Sequence, residues 1–151
     1  MRRALLLLFA SVLLASFVSA QDTSMYVYGR VRERSTMDSI PFPTIQISDL
    51  NSTELPTPVV TNAKGKYEFS LLPGRDYKVS YGSEGHVTRW VEIDLRNTPP
   101  GLWADGMAMN IDMTLFQEIP DVDVAFLHEA TARARYDSTA NTIAWDMEYT
   151  K

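Results

Sequence analysis

The sequence contains no cysteine, few glycines and prolines, and no run of basic residues. Its 151 residues include 0 Cys, 7 Gly and 8 Pro. Without cysteine the chain has no disulfide framework, no thiol nucleophile, no thiolate-bound zinc and no iron–sulfur cluster. The net charge of −5 argues against nucleic-acid binding and provides no overall field for acidic ligands. The remaining composition, 45% hydrophobic and 22% charged, is that of one globular domain with room for an ordered extension.

Motifs for catalysis or cofactor binding are also absent. The two histidines, His86 and His128, have no metal-ligand spacing, and Ser83 lies between glycines without forming a G-x-S-x-G motif. No glycine motif for phosphate binding occurs. Glu92 and Asp94 alternate along a predicted strand, where such a pair is more often solvated than bound to calcium. We therefore expect no catalytic residue, no cofactor and no metal, and a protein that is not an enzyme.

The first twenty residues have the pattern of a cleaved secretory signal. Arg2 and Arg3 precede an apolar run at positions 4–18, and small residues end the segment at Ala20. The run of fifteen residues reaches only ~23 Å as a helix, short of the roughly 30 Å hydrocarbon core of a bilayer. We expect export to the periplasm, the cell surface or the medium, with no stable membrane span after cleavage. A lipid anchor on cysteine is excluded because the chain has none.

The body of the chain alternates apolar and polar residues with a period of two, which is typical of half-buried strands. No long segment has the helical period that parallel sheets need in their crossovers. We therefore predict an all-β fold, a seven-stranded antiparallel β-sandwich over residues 25–116. The predicted strands cover residues 25–32, 44–48, 59–61, 66–71, 76–81, 87–95 and 107–115.

Two details of this pattern make sharper predictions. Residues 66–71 and 76–81 alternate cleanly on either side of Pro73 and Gly74, which predicts a hairpin with facing aromatic pairs. Gly29 interrupts the inward row of the first strand, which indicates a bulge or a close approach of another segment.

Six strand and turn segments occur in a recognisable order, at residues 29–31, 43–47, 61–69, 72–74, 77–80 and 85–86. Together they resemble the carboxypeptidase regulatory-like domains, which are transthyretin-like, Ig-like β-sandwiches. The resemblance covers residues 25–95 and implies a sandwich in an extracytoplasmic protein, generally without catalysis of its own. Residues 91–94 and 109–113 are also similar to segments of exported proteins of Bacteroidetes-type bacteria.

Residues 117–151 form an acidic C-terminal extension with seven acidic and three basic residues. Alternation at 132–136 and again around Ile143 predicts a short hairpin at its end. An isolated hairpin is marginal in water, so this one must dock on the sandwich or on a partner. Both possibilities remain open from the sequence.

Several aromatic residues are candidates for partner binding, because flat amphipathic rings bury a large area at low entropic cost. Either the tail covers them as a second layer of core, or they contact a protein, or they stack on a sugar ring. We expect a non-catalytic accessory or scaffold subunit of a bacterial envelope assembly, which binds an envelope protein. The alternative is a carbohydrate-binding module that uses the same rings. The candidate residues are Tyr26, Tyr28, Trp90, Trp103, Tyr136 and Trp145.

Overall fold

The computed structural model describes residues 23–124 and 128–149, and the predicted signal at 1–20 lies outside them. The described chain is all-β, as predicted, because its alternating segments form strands with one apolar face each. A short 3-10 helix at Pro100–Trp103 interrupts them. The strands are β1 Met25–Glu33, β2 Thr44–Asp49, β3 Thr57–Val59, β4 Lys66–Leu71, β5 Asp76–Gly82, β6 Arg89–Asp94, β7 Met107–Asn110, β8 Met113–Leu115, β9 Ala132–Asp137 and β10 Thr142–Trp145.

The strands form two sheets that pack as a sandwich. The smaller sheet has the order β4-β1-β7, with β8 pairing further along β1, and the larger has the order β10-β9-β6-β5-β2-β3. Their inward side chains form one buried cluster, which removes the apolar faces of both sheets from water. Among its most deeply buried members are Val27, Val31, Val79, Val91 and Ile93.

The predicted seventh strand is split into β7 and β8 around Ile111. The hydroxyl of Tyr67 donates to the Ile111 carbonyl at 2.5 Å. A side chain at Gly29 would lie 2.0 Å from that carbonyl oxygen, so the close approach expected at this glycine is confirmed. Asp112 then accepts the N–H of Arg30 at 2.9 Å, in place of a backbone acceptor.

Three pairings differ from a purely antiparallel sandwich. Strands β7 and β8 both run parallel to β1, and β9 runs parallel to β6. The split of the seventh strand and the two strands of the tail raise the number of strands in the described residues from seven to ten. The period of two marks a strand but does not specify the direction of its neighbour.

The predicted hairpin of residues 66–71 and 76–81 is wrong. Strand β4 pairs with β1 in the smaller sheet, whereas β5 pairs with β2 and β6 in the larger. The linker crosses between the sheets, with the Tyr77 hydroxyl bonded to the backbone of Leu72 and Gly74 N–H donating to Leu95. Tyr67 and Tyr81 therefore meet across the core, with hydroxyl oxygens 3.0 Å apart.

The predicted terminal hairpin is confirmed as β9 and β10. Strand β9 continues the larger sheet beyond β6, so the hairpin is part of the sandwich. Ala134 and Ile143 on its inner side are buried in the common core.

Candidate functional site

The outer face of the smaller sheet is a shallow concavity lined by aromatic, amide and charged side chains. Its volume is about 700 Å³. Alternate residues of β1, β4 and β7 point to this side, because successive side chains of a strand project from opposite faces. We call this surface the tyrosine face, formed by Tyr26, Tyr28, Arg30, Lys66, Glu68, Asn110 and Asp112.

Two stacked tyrosines form the aromatic part of the tyrosine face. The ring centroids of Tyr26 and Tyr28 lie 5.6 Å apart, with 25° between the ring planes. The Tyr26 hydroxyl donates to the carboxylate of Glu68. This hydrogen bond raises the pKa of Tyr26 above its ordinary 10.0, and burial and the negative charge of Glu68 act in the same direction. The rings thus form an ordered, partly exposed platform.

Next to this platform lie two cations that form no ion pair in the described residues. Arg30 and Lys66 are direct cross-strand partners of β1 and β4. Within residues 23–124 and 128–149 neither side-chain cation has a hydrogen-bonded or ion-paired partner, and Arg30 Nε is buried. Asp112 binds the backbone N–H of Arg30, and its other oxygen lies 3.9 Å from Arg32. Like charges in this arrangement destabilise a sheet.

An exposed apolar corner borders the tyrosine face. Phe42 lies between Pro41 and Pro43, has a φ of 48° and is 68% exposed. Its N–H donates to the Asn62 carbonyl at 3.0 Å. Val60, two residues earlier on that segment, is 88% exposed. We call Phe42 and Val60 the Phe42 corner. It is not among the candidates predicted from the sequence, although the order Pro-Phe-Pro at residues 41–43 is a visible signal for it.

The outer face of the larger sheet pairs its charges internally. Asp76 and Asp94 are direct cross-strand partners, and Arg96 bridges them at 3.1 Å and 2.7 Å. In the next row Arg133 contacts Glu92 at 2.9 Å. Burial raises the pKa of Asp76 to about 6, and the charges of Asp94 and Glu92 add to this rise against the opposing effect of Arg96.

The tail covers Trp90 on this same outer face. The Trp90 indole donates to the His128 carbonyl at 3.0 Å, and Lys78 Nζ lies 4.8 Å from the ring centroid. The tail and the sheet enclose a groove of about 660 Å³, beside which Ile119 and Val122 are exposed. The ring is therefore held by the tail rather than presented alone.

A histidine–carboxylate contact joins the end of β1 to the turn after β5. His86 Nε2 lies 2.5 Å from Glu33, and Nδ1 lies 2.9 Å from the Glu84 carbonyl. Burial lowers the pKa of His86, but these two acceptors outweigh it and raise the pKa above 6.5. The contact from His86 lowers the pKa of Glu33 below 4.5.

The structure brings together only some of the aromatic residues singled out from the sequence. Tyr26 and Tyr28 share the tyrosine face, whereas Trp90 lies on the opposite outer face of the sandwich. Trp103 is 5% exposed in the core, because the 3-10 helix turns it inward, so it is not presented to a partner. Tyr136 and Trp145 are partly buried against the core. Tyr26, Tyr28 and Trp90 therefore do not share one surface.

The described part of the chain has neither a cluster of metal ligands nor a membrane-spanning helix. Residues 23–124 and 128–149 contain no group of three or more His, Cys, Asp or Glu side chains placed to hold a metal ion. In the same residues no helix has the length and apolarity needed to cross a membrane.

Comparisons with known proteins identify no family for this chain. No protein-family model matches the chain, and no curated protein is significantly similar to it. One similar solved structure is a DUF3823 family protein from Parabacteroides merdae, with 15% identity, a TM-score of 0.43, and coverage of 62% of this chain and 46% of that one. Another is the dioxygenase domain of a dioxygenase carbohydrate-binding protein fusion from Streptomyces, with 14% identity, a TM-score of 0.46, and coverage of 66% and 84%.

A third is the group B streptococcus pilus 2b backbone protein, with 14% identity, a TM-score of 0.40, and coverage of 61% and 40%. The chain spans about half the length of the first two solved structures it matches, 46% of a DUF3823 protein and 54% of a catechol 1,2-dioxygenase. At these identities and TM-scores the matches assign no activity, substrate or partner to this chain.

Proposed function

We propose that this protein is a non-catalytic, exported accessory or scaffold subunit of a bacterial envelope assembly, and that it docks on an envelope protein through the Phe42 corner. The single observation that carries this proposal is Phe42 itself, a large apolar side chain that is 68% exposed at a φ of 48°. The resemblance of residues 25–95 to carboxypeptidase regulatory-like domains is consistent with such a role.

Physical reasons favour a protein contact at this corner. Positive φ is costly for a bulky residue, and such strain is often retained at functional positions. Pro41 and Pro43 fix their own φ angles, and the Asn62 carbonyl holds the N–H of Phe42. The backbone that carries the ring is therefore restrained before binding, so a partner that encloses the ring has little backbone entropy to remove. Burying Phe42 and Val60 in a partner would also remove exposed apolar area from water.

Site-specific crosslinking in envelopes of the source bacterium tests the proposal. A photo-crosslinking phenylalanine analogue replaces Phe42 in one variant and Leu72, which is 54% exposed at another point of the molecule, in the control. We expect one defined protein adduct from position 42 and none of that protein from position 72. Adding Val60→Asp should reduce the adduct, because it places a charge in the apolar contact.

Two results would contradict docking at this corner. One is recovery of the chain as a free monomer with no adduct specific to position 42. The other is an adduct of equal yield from both positions, which would indicate nonspecific proximity.

A further inference from the structure

The tyrosine face contains an electrostatic arrangement that the fold does not resolve by itself. Arg30 and Lys66 lie directly opposite each other on β1 and β4, and both line the concavity. Two carboxylates line the same concavity, but Asp112 accepts the N–H of Arg30 and Glu68 accepts the Tyr26 hydroxyl, and neither forms an ion pair with the side chain of Arg30 or Lys66. A carboxylate that enters the concavity would therefore meet two cations that have no ion-paired partner in the described residues.

The larger sheet contains a like-charged pair that is bridged from within the chain. Asp76 and Asp94 are also direct cross-strand partners, and Arg96 lies within 3.1 Å of both. The described residues provide no equivalent bridging carboxylate between Arg30 and Lys66. A carboxylate from a ligand would supply that bridge.

We propose that the tyrosine face binds an acidic polysaccharide, with a uronate carboxylate between Arg30 and Lys66 and a sugar ring against Tyr28. Tyr28 and Arg30 are alternate residues of β1, so their Cα atoms are separated by about 6.8 Å along the strand. This spacing places an aromatic platform and a cation pair within reach of one ring and its carboxylate. The guanidinium of Arg30 is suited to bind that carboxylate with two parallel hydrogen bonds.

The lining favours a glycan over an acidic protein segment. Centres of protein interfaces are depleted of charge and rich in apolar side chains. The tyrosine face instead combines two phenol rings with amide and hydroxyl groups, including those of Asn62, Asn110 and Thr61. Its one strongly exposed aliphatic residue is Val60 at the border. The net charge of −5 does not exclude an acidic ligand, because the field at short range depends on the nearest charges.

Calorimetric titration of the protein with a short oligogalacturonate provides the direct test, and its methyl ester serves as a neutral control. We expect saturable binding of the acid, weaker binding at high salt, and binding of the ester that is weaker by about tenfold or more. Arg30→Gln and Tyr28→Ala should each lower the affinity by about tenfold. Lys78→Gln, a cation on the other outer face, should leave it unchanged.

Lys66→Gln separates a binding role from a structural one. This variant should bind the oligogalacturonate more weakly while its melting temperature stays the same or rises, because the repulsion of Arg30 is removed. A parallel loss of folding and binding, or unchanged binding, contradicts the proposal. Thermal unfolding of every variant shows that it is folded before it is titrated.

Other outcomes would overturn the assignment of the ligand. Absence of saturable binding, equal binding of the methyl ester, or equally tight binding of polyglutamate would each exclude a uronate-specific site. The test is independent of the proposed protein contact, because Phe42→Ala should weaken docking without changing any residue that lines the concavity. If Phe42→Ala loses the glycan together with the protein contact, the two sites are not separate as proposed.

Discussion

The two outer faces of the sandwich differ in how they use charge. On the larger sheet the carboxylates of Asp76 and Asp94 share Arg96, and Glu92 contacts Arg133. On the smaller sheet Arg30 and Lys66 are cross-strand partners, and neither side chain is ion-paired in the described residues. Ion pairs thus occupy the charges of one outer face, whereas the other face keeps two cations available to a ligand. This difference is the reason for proposing the smaller sheet as the binding face.

The largest expected effect comes from disrupting the smaller sheet at Gly29. In Gly29→Ala the new methyl group would lie 2.0 Å from the Ile111 carbonyl oxygen, so β7 and β8 must move away from β1. We expect the free energy of unfolding to fall by about 2–3 kcal/mol, as for an overpacked core. Urea denaturation measures this change.

Gly101→Ala is the matched control for that substitution. Nothing lies within 4 Å of a side chain added at Gly101. Its free energy of unfolding should change by no more than about 0.5 kcal/mol. If both glycine variants were equally stable, the close approach of Ile111 to β1 would not be a constraint on the smaller sheet.

Removing the bridge on the larger sheet should have the next largest effect. Arg96→Gln leaves Asp76 and Asp94 opposite each other without the cation that bridges them. We expect a fall of several degrees in Tm at neutral pH, because two carboxylates must then be held together unbridged. Arg75→Gln, which removes a single contact of 3.4 Å to Asp49, should lower Tm less. Equal falls would mean that the bridge contributes no more than an ordinary surface pair.

A smaller effect is expected in the pH dependence of stability, and it comes from Asp76 on the outer face of the larger sheet. Because the pKa of Asp76 rises from 3.8 in the unfolded chain to about 6 in the folded protein, the folded state binds this proton more tightly. The stabilisation of the folded state by this tighter proton binding is complete below pH 3.8 and is lost as the pH rises through about 6. Asp76→Asn removes this titration.

The Tm of Asp76→Asn, relative to that of the native protein, should therefore increase between pH 4 and pH 6 and then level off. Differential scanning calorimetry across this range measures it. The exposed Asp105→Asn variant should follow the native protein throughout. A constant difference between Asp76→Asn and the native protein would rule out a titration of Asp76 in this range.

The smallest expected effect is a gain in stability on the smaller sheet. Lys66→Gln removes one of two facing cations and should raise the free energy of unfolding by about 0.3 kcal/mol at low salt. The gain should disappear at high salt, because exposed charges are screened. Lys64→Gln, a variant in the preceding turn, should show no such gain. A loss of stability in Lys66→Gln would mean that Lys66 stabilises the smaller sheet, which contradicts the contrast drawn between the two faces.

Sequence reasoning located the candidate site only in part. The alternation of β1 predicts correctly that Tyr26 and Tyr28 point away from the core. It does not predict that Arg30 faces Lys66, because that pair depends on the register of β1 against β4. Trp90 is likewise on the polar side of the alternation of β6, but β1 and β6 belong to different sheets. Aromatic residues with similar local patterns therefore lie on opposite sides of the molecule.

The sequence by itself determined which segments are strands, which side chains point inward, and which chemistries the absence of cysteine excludes. Only the tertiary structure decided which strands are neighbours: β4 pairs with β1 and not with β5, its predicted partner. The physical reason is that side-chain alternation specifies the buried face of a strand, whereas its neighbours are joined through backbone groups that every residue shares. Neighbours are selected by the packing of all inward side chains together, and the meeting of Arg30 with Lys66 is a consequence of that packing.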